Sequence, residues 1–322
     1  MISGFAIGHH QVRAPGWQTG TTVIVAEDGA TAGVDVRGGG PGTRETDALD
    51  PTTLTQQAHA LVLTGGSAYG LAAADGVMQA LAERNIGFPV GTEPHEVVPI
   101  VPAAVIFDLG RGGEFGNRPT AEFGRLALAN ATTDDPAQGT VGAGTGAVCG
   151  GVAGGFGYTE ITIDGDQPIT VAAAAVVNAA GSAVDPGTGR LWADRTRRLP
   201  APTPEQCTAL SEARTNAASI NTTIGVILTD ATLTKAQANK VAQVAHDGLA
   251  RAITPVHSMT DGDTIFCMAS GTDAPLPHTP AGVTTFNTIL EKAAEAFTEA
   301  CLNAMTHAES HGRWQSYTAL TT

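Results

Sequence analysis

The sequence predicts a layered α/β fold, with sheets covered by helices. Three observations predict it. Short runs such as Leu61-Val62-Leu63 and Ile224–Leu228 are apolar throughout, as strands buried on both faces are. Other segments carry apolar residues at helical spacing, most clearly Ala238, Val241 and Ala245. Both kinds of segment are abundant, with no internal repeat and no low-complexity linker between them.

Taken in order, residues 21–36 (TTVIVAEDGATAGVDV) read as two strands around an Asp-Gly turn. A Gly/Pro-rich loop with Arg37, Arg44, Glu45 and Asp47 follows. The strand at 61–63 runs into Gly65-Gly66-Ser67 and an Ala/Leu-rich helix that ends near Asn85, with Gly87 beyond it. VPIVPAAVIFDLG is a second buried stretch, broken by Pro99 and Pro102. Residues 139–157 are nearly all small, so their backbone must pack closely on something. Residues 158–186 give a hairpin with an Asp-Gly turn and a strand ending at Asn178. Residues 186–218 read as a surface segment, and the loop before Thr222 is the only break proposed in the chain. The strand at 224–228, an amphipathic helix from about 233, a turn and strand in SMTDGDTIFCMASG and a long last helix complete a single domain, 1–322.

Composition narrows the function. With 42% hydrophobic and 15% charged residues the chain can bury a compact core. A net charge of −14 repels phosphate backbones and anionic lipid, so neither nucleic acid nor membrane is expected as a partner. Cys149, Cys207, Cys267 and Cys301 are far apart and form no C-x-x-C pair, which excludes a zinc motif and a secreted disulfide framework. The N-terminus shows no signal-peptide pattern and no apolar run reaches membrane-spanning length. A cytoplasmic protein is expected.

Most motif matches are weak. GAGTGA at 142–147 resembles part of a dinucleotide fingerprint, but VCGGVAGGFG after it cannot supply the required helix. Ser67 stands on a strand-to-helix turn without G-x-S-x-G spacing and reads as an N-cap. His9 and His10 read as surface or loop residues and His246 as structural; no metal-ligand spacing occurs. Asp261-Gly262-Asp263 reads as a turn. Asn221-Thr222-Thr223 heads an apolar strand. It either starts the strand and ties up a turn, or marks a cleavage that makes a hydroxyl residue a new N-terminus.

Taken together, VRGGGPGTRETDALDP, LVLTGGSAYGLAAADGVM, VPIVPAAVIFDLG, VGAGTGA, NTTIGVILTDA and HDGLARAI…DGDTIF resemble the L-aminopeptidase/D-esterase family of self-processing peptidases, from about residue 4 to 310. Its relatives include β-peptidyl aminopeptidases and the nylon-oligomer endohydrolase. The resemblance implies an α-β-β-α sandwich like that of ornithine acetyltransferase. It also implies autocleavage at Asn221–Thr222 into chains 1–221 and 222–322. Thr222 becomes the nucleophile of an amide hydrolase acting on small peptides, β-amino amides or amide oligomers. Asn178 corresponds to an oxyanion or amine contact, and Asp261 and Asp263 to acids that orient the new α-amine or relay protons. No cofactor or metal is implied, and a homotetramer is.

Two departures stand against the pattern. Relatives of the oligomer hydrolase carry Lys directly before the Gly-Gly of the small-residue segment; this chain has Ala153, and its only lysines are Lys235, Lys240 and Lys292. Aminopeptidase members have Tyr near position 107, where this chain has Phe107. Ala153 favours the alternative, a non-processed homologue with a structural or binding role.

Overall fold

The computed structural model describes every residue except 166, 217–220, 275 and 278. Nine strands form the main sheet: β1 Ala6–Ala14, β2 Trp17–Val36, β3 Thr43–Arg44, β4 Gln57–Thr64, β5 Ala103–Val105, β6 Phe156–Ile163, β7 Ile169–Val176, β8 Ile224–Thr229 and β9 Thr264–Ala269. The α-helices are α1 Ala72–Ala82, α2 Ala121–Ala129, α3 Pro204–Ala213, α4 Lys235–Ala252, α5 Pro280–Thr306 and α6 Tyr317–Thr321. The strand order is β6-β7-β8-β9-β2-β4-β5-β3, with β1 on β2.

Residues 21–36 are not a hairpin. β2 runs through Asp28-Gly29 without reversing. Its first half pairs with β1 and β4; its second half keeps β4 at Ala30 and Thr31 and pairs with β9 from Thr31 on. The register against β4 shifts between Val25 and Ala30, and Gly29 sits at φ +80°. A glycine in the left-handed region makes a bulge rather than a turn when the strand resumes pairing with the same neighbour beyond it. The bend carries one strand from one layer of the fold to the other.

Side-chain alternation then fills three cores. Val226, Leu228, Phe266 and Met268 face Ile24, Leu61, Leu63 and Ile106 in a core between the two layers. Their neighbours Ile227, Ile265 and Cys267 point the other way, onto Val241, Ala245, Phe297 and Ala300 of α4 and α5. On the far side Val23, Val62 and Ala103 meet Ala73, Val77 and Ala127 of α1 and α2. The arrangement is helix, sheet, sheet, helix, as expected. Within 186–218, expected as surface, α3 starts on a Thr203/Gln206 capping box and buries Leu210; the end of that segment lies outside the described residues. Most of the break proposed before Thr222 also falls on residues 217–220, outside them.

Candidate active site

Three chain segments converge at one edge because of strand direction. β8 pairs with β7 antiparallel and with β9 parallel. Ile224 lies opposite Val176 and Thr264. The residues just before β8 therefore meet those just after β7 and those just before β9: Asn221 and Thr222, Asn178, and the turn from Asp261 to Asp263. Asn178, Asn221, Thr222, Asp261 and Asp263 are all buried, with at most 5% of their surface exposed.

Thr222 is held from two sides. Its N–H donates to the Asn178 carbonyl at 2.7 Å. Its Oγ1–H donates to the Asn221 carbonyl at 2.6 Å, and Oγ1 accepts from the Gly262 N–H at 3.1 Å. A Cβ at position 262 would lie 2.7 Å from the Gly40 carbonyl oxygen and 2.8 Å from Thr222 Oγ1, so only glycine lets the turn approach this closely. The turn's contact with the Thr222 hydroxyl is thus a backbone donor.

The two carboxylates lock the frame. Asp263 Oδ1 accepts from the Thr223 N–H at 2.8 Å; its Oδ2 faces the His257 N–H at 3.0 Å and Nδ1 at 2.9 Å. His257 adopts φ +58°, a strained conformation for a side-chain-bearing residue that these bonds hold. Asp261 Oδ1 accepts from the Ala180 N–H at 3.1 Å, while its Oδ2 takes the Ser258 N–H at 3.3 Å and the Ser258 hydroxyl. Asp261 thereby ties the turn to the segment that follows Asn178.

The sequence reading missed Arg111. This residue follows the buried stretch ending in Phe107-Asp108. Its guanidinium donates to Asn178 Oδ1 and the Gly146 carbonyl, and at 2.6 Å to Asn221 Oδ1. It lies over the Trp314 ring, 5.8 Å from the centroid. Burial pushes its pKa down to about 10, with Asp108 acting in the opposite direction, so it stays charged at neutral pH. Asn178 Oδ1 also accepts from the Val148 N–H at 3.0 Å. With two donors on the oxygen, the Asn178 amide is turned so that Nδ2 points toward the Phe107 carbonyl, 3.5 Å away. The available signal for Arg111 was its place: a basic residue in a lysine-poor chain, three residues after an Asp at the end of a buried strand.

The departures also find their places. The small-residue segment packs on the end of β7, as the sequence required: Val177 donates to Gly155 and Ala179 to Val148. Ala153 sits in an apolar cluster with Val148, Ala308 and Trp314, the ring on which Arg111 rests. Ser67 is not an N-cap. Gly66 takes the cap position in the left-handed region, and Ser67 itself has φ +50°. His9 and His10 lie in β1 rather than in a loop, with His9 packed edge-on against Phe156. His246 is structural as expected; it is buried and bonds the Asp35 carbonyl at 3.0 Å. Among the described residues, no group of three or more His, Cys, Asp or Glu side chains is placed to hold a metal ion, and no helix is long and apolar enough to cross a membrane.

Comparison with known proteins gives this arrangement a context. Peptidase family S58 matches residues 2–318. The chain belongs to peptidase family S58. It is 48% identical over 295 residues to an uncharacterized aminopeptidase of Mycobacterium tuberculosis, covering 88% of this chain and 83% of that one. It is 34% identical over 285 residues to the 6-aminohexanoate-oligomer endohydrolase of Paenarthrobacter ureafaciens, covering 81% and 72%. Two solved structures share the fold, each with a TM-score of 0.72. One is the L-aminopeptidase D-Ala-esterase/amidase of Ochrobactrum anthropi, described as a variant of the Ntn-hydrolase fold, at 20% identity over 97% of this chain and 86% of that one. The other is a Burkholderia sp. β-aminopeptidase, at 22% identity over 99% and 90%. As an S58 member the chain is an amide hydrolase built on the Ntn-hydrolase fold, as the sequence resemblance implied.

Proposed function

We propose that Thr222 is the nucleophile of this hydrolase, and that the chain prepares it by cutting its own Asn221–Thr222 bond. The observation that carries this reading is the position of Thr222 Oγ1. It rests on the carbonyl of that bond and is backed by a donor from Gly262. In the cut, Oγ1 bonds to the Asn221 carbonyl carbon, the C–N bond breaks, and the Oγ1 proton passes to the departing Thr222 nitrogen. Water then hydrolyses the ester, leaving a carboxylate on Asn221 and restoring the hydroxyl. The Gly262 N–H favours a developing negative charge on Oγ1, and the Asn178 backbone carbonyl holds the nitrogen that departs.

The amine so released starts in place, because its nitrogen already bonds the Asn178 carbonyl. An α-amine has an unperturbed pKa of about 7.7–8.0 and can take the Oγ1 proton near neutral pH. Acyl transfer from a small peptide, β-amino amide or amide oligomer to Thr222 then follows the same path, without a cofactor. Asp263 and Asp261 hold the strand head and the turn that carry these groups. The reading includes a cytoplasmic homotetramer, on family resemblance alone.

The test is the mass of the purified protein under denaturing conditions. Processing divides 32.6 kDa into chains of about 22 and about 10 kDa, and the smaller begins at Thr222. Thr222→Ala leaves one full-length chain without hydrolase activity. A wild-type protein that stays whole through long incubation would overturn the proposal.

A further inference from the structure

We infer that Arg111 selects the acyl group this site accepts, favouring acyl residues whose side chain ends in an oxygen acceptor, as asparagine and aspartate do. The inference rests on Thr222 being the nucleophile and names the substrate class of that site.

The argument starts from the chain's own first reaction. Asn221 is the acyl residue of that reaction, since its carbonyl carbon is the one that Oγ1 attacks. A later substrate must bring its carbonyl carbon to the same oxygen, so its acyl residue stands where Asn221 stands. The surroundings of Asn221 therefore describe the acyl subsite. Asn221 is fully buried, and its Oδ1 accepts from Arg111 Nη2 at 2.6 Å. The guanidinium is fixed on its other side by Asn178 Oδ1, the Gly146 carbonyl and the Trp314 ring. The neighbouring carboxylate does not take up this donor: Asp108 is engaged by the Thr19 hydroxyl and the Gly66 N–H, each at 2.6 Å.

When the new end at Asn221 leaves, Nη2 faces the subsite as a charged donor that cannot follow it. A carboxamide or carboxylate oxygen restores the bond. An apolar side chain leaves a buried charged donor without this acceptor, and a basic one adds repulsion. Sites built around a hydrogen bond reject ligands that lack the partner far more strongly than apolar pockets reject a wrong size.

The experiment uses the full chain as its own substrate. Processing is followed by intact mass for the wild type and for Asn221→Asp, Asn221→Leu and Asn221→Lys, each with Arg111 present and in an Arg111→Gln background. With Arg111, Asn221→Asp should process within about 3-fold of wild type, and the Leu and Lys variants at least about 30-fold more slowly. In the Arg111→Gln background the difference between Asn221 and Asn221→Leu should shrink to about 5-fold or less. A second arm needs no mutation. Mature wild-type enzyme should show kcat/KM values for asparaginyl and aspartyl p-nitroanilides at least about 30-fold above the leucyl and lysyl compounds.

If Arg111→Gln does not fold, the Asn221 series with Arg111 present and the anilide panel decide. If the wild type processes and Asn221→Leu keeps pace, or if the panel is flat, Arg111 selects nothing and the nucleophile assignment stands. If the wild type never processes, both readings fall together.

Discussion

Two regions meet at Thr222, and they support it by different means. The turn from His257 to Asp263 lies close to Thr222 in sequence, directly before a strand paired with β8. It works through backbone geometry and two carboxylates, each receiving N–H donors at fixed places. The loop after β5 lies more than a hundred residues upstream. It contributes a single long side chain, whose guanidinium binds two amides across the site. Rigid backbone holds Thr222 and a charged arm holds Asn221, the two residues of the bond proposed for the cut. The turn is tolerant where a carboxylate oxygen faces a hydroxyl, which can turn round and accept from a carboxamide. The arm is intolerant, because no other side chain carries that fork of donors.

The largest effect should come from breaking the arm. Arg111→Met removes donors from the oxygens of Asn178, Asn221 and Gly146, each loss worth about 1–3 kcal/mol when buried. Processing should slow by about 100- to 1000-fold, and guanidinium added at millimolar concentration should restore part of the rate. No rescue, with the fold intact by circular dichroism, would mean that Arg111 acts through packing alone.

Next comes Asp263→Asn. One of its oxygens faces both His257 donors, and a carboxamide must turn either an NH2 group toward them or its NH2 toward the Thr223 N–H. That mismatch should slow processing about 10- to 100-fold. Asp261→Asn should cost less than about 10-fold, because the amide oxygen keeps Ala180 as donor, its NH2 can donate to the Ser258 hydroxyl, and only the long 3.3 Å bond from the Ser258 N–H is lost. Equal losses at the two positions would show that charge, not geometry, is what the turn supplies.

A smaller effect concerns stability rather than rate. Burial pushes His9, His246 and His311 down to about 4. Their folded values lie below the ordinary 6.5, so the unfolded chain binds more protons between these limits. Stability is therefore full above pH 6.5 and falls as pH drops toward 4, by roughly 1 kcal/mol per pH unit for each residue. Thermal melts between pH 7 and pH 4.5 check this; a flat Tm would place these rings in contact with water.

The same contrast explains what could be read in advance. Thr222, Asn178, Asp261 and Asp263 stand at strand ends, where apolar runs stop and polar residues begin, and such borders are visible in a sequence. Arg111 was not visible, since nothing local says that a loop arginine crosses to a distant strand head. Ala153 was read as a missing charge; the fold puts the Arg111 guanidinium over the Trp314 ring, a member of the same apolar cluster as Ala153. The error at Asp28-Gly29 has a related cause. An Asp-Gly pair marks a reversal only when the flanking residues pair with each other, and here both flanks continue along β4.

The position of β8 has a consequence for the life of the protein. It is an interior strand, hydrogen-bonded to β7 on one side and β9 on the other, and the proposed cut lies at its head. Before the cut, folding is unimolecular, and the chain itself delivers β8 to β7. After it, the two polypeptides remain interleaved, but the covalent tether that guided their assembly is gone. Denatured mature enzyme can recover only by a bimolecular encounter, at a rate that falls with dilution and with an apparent Tm that rises with protein concentration. The precursor should refold at any dilution.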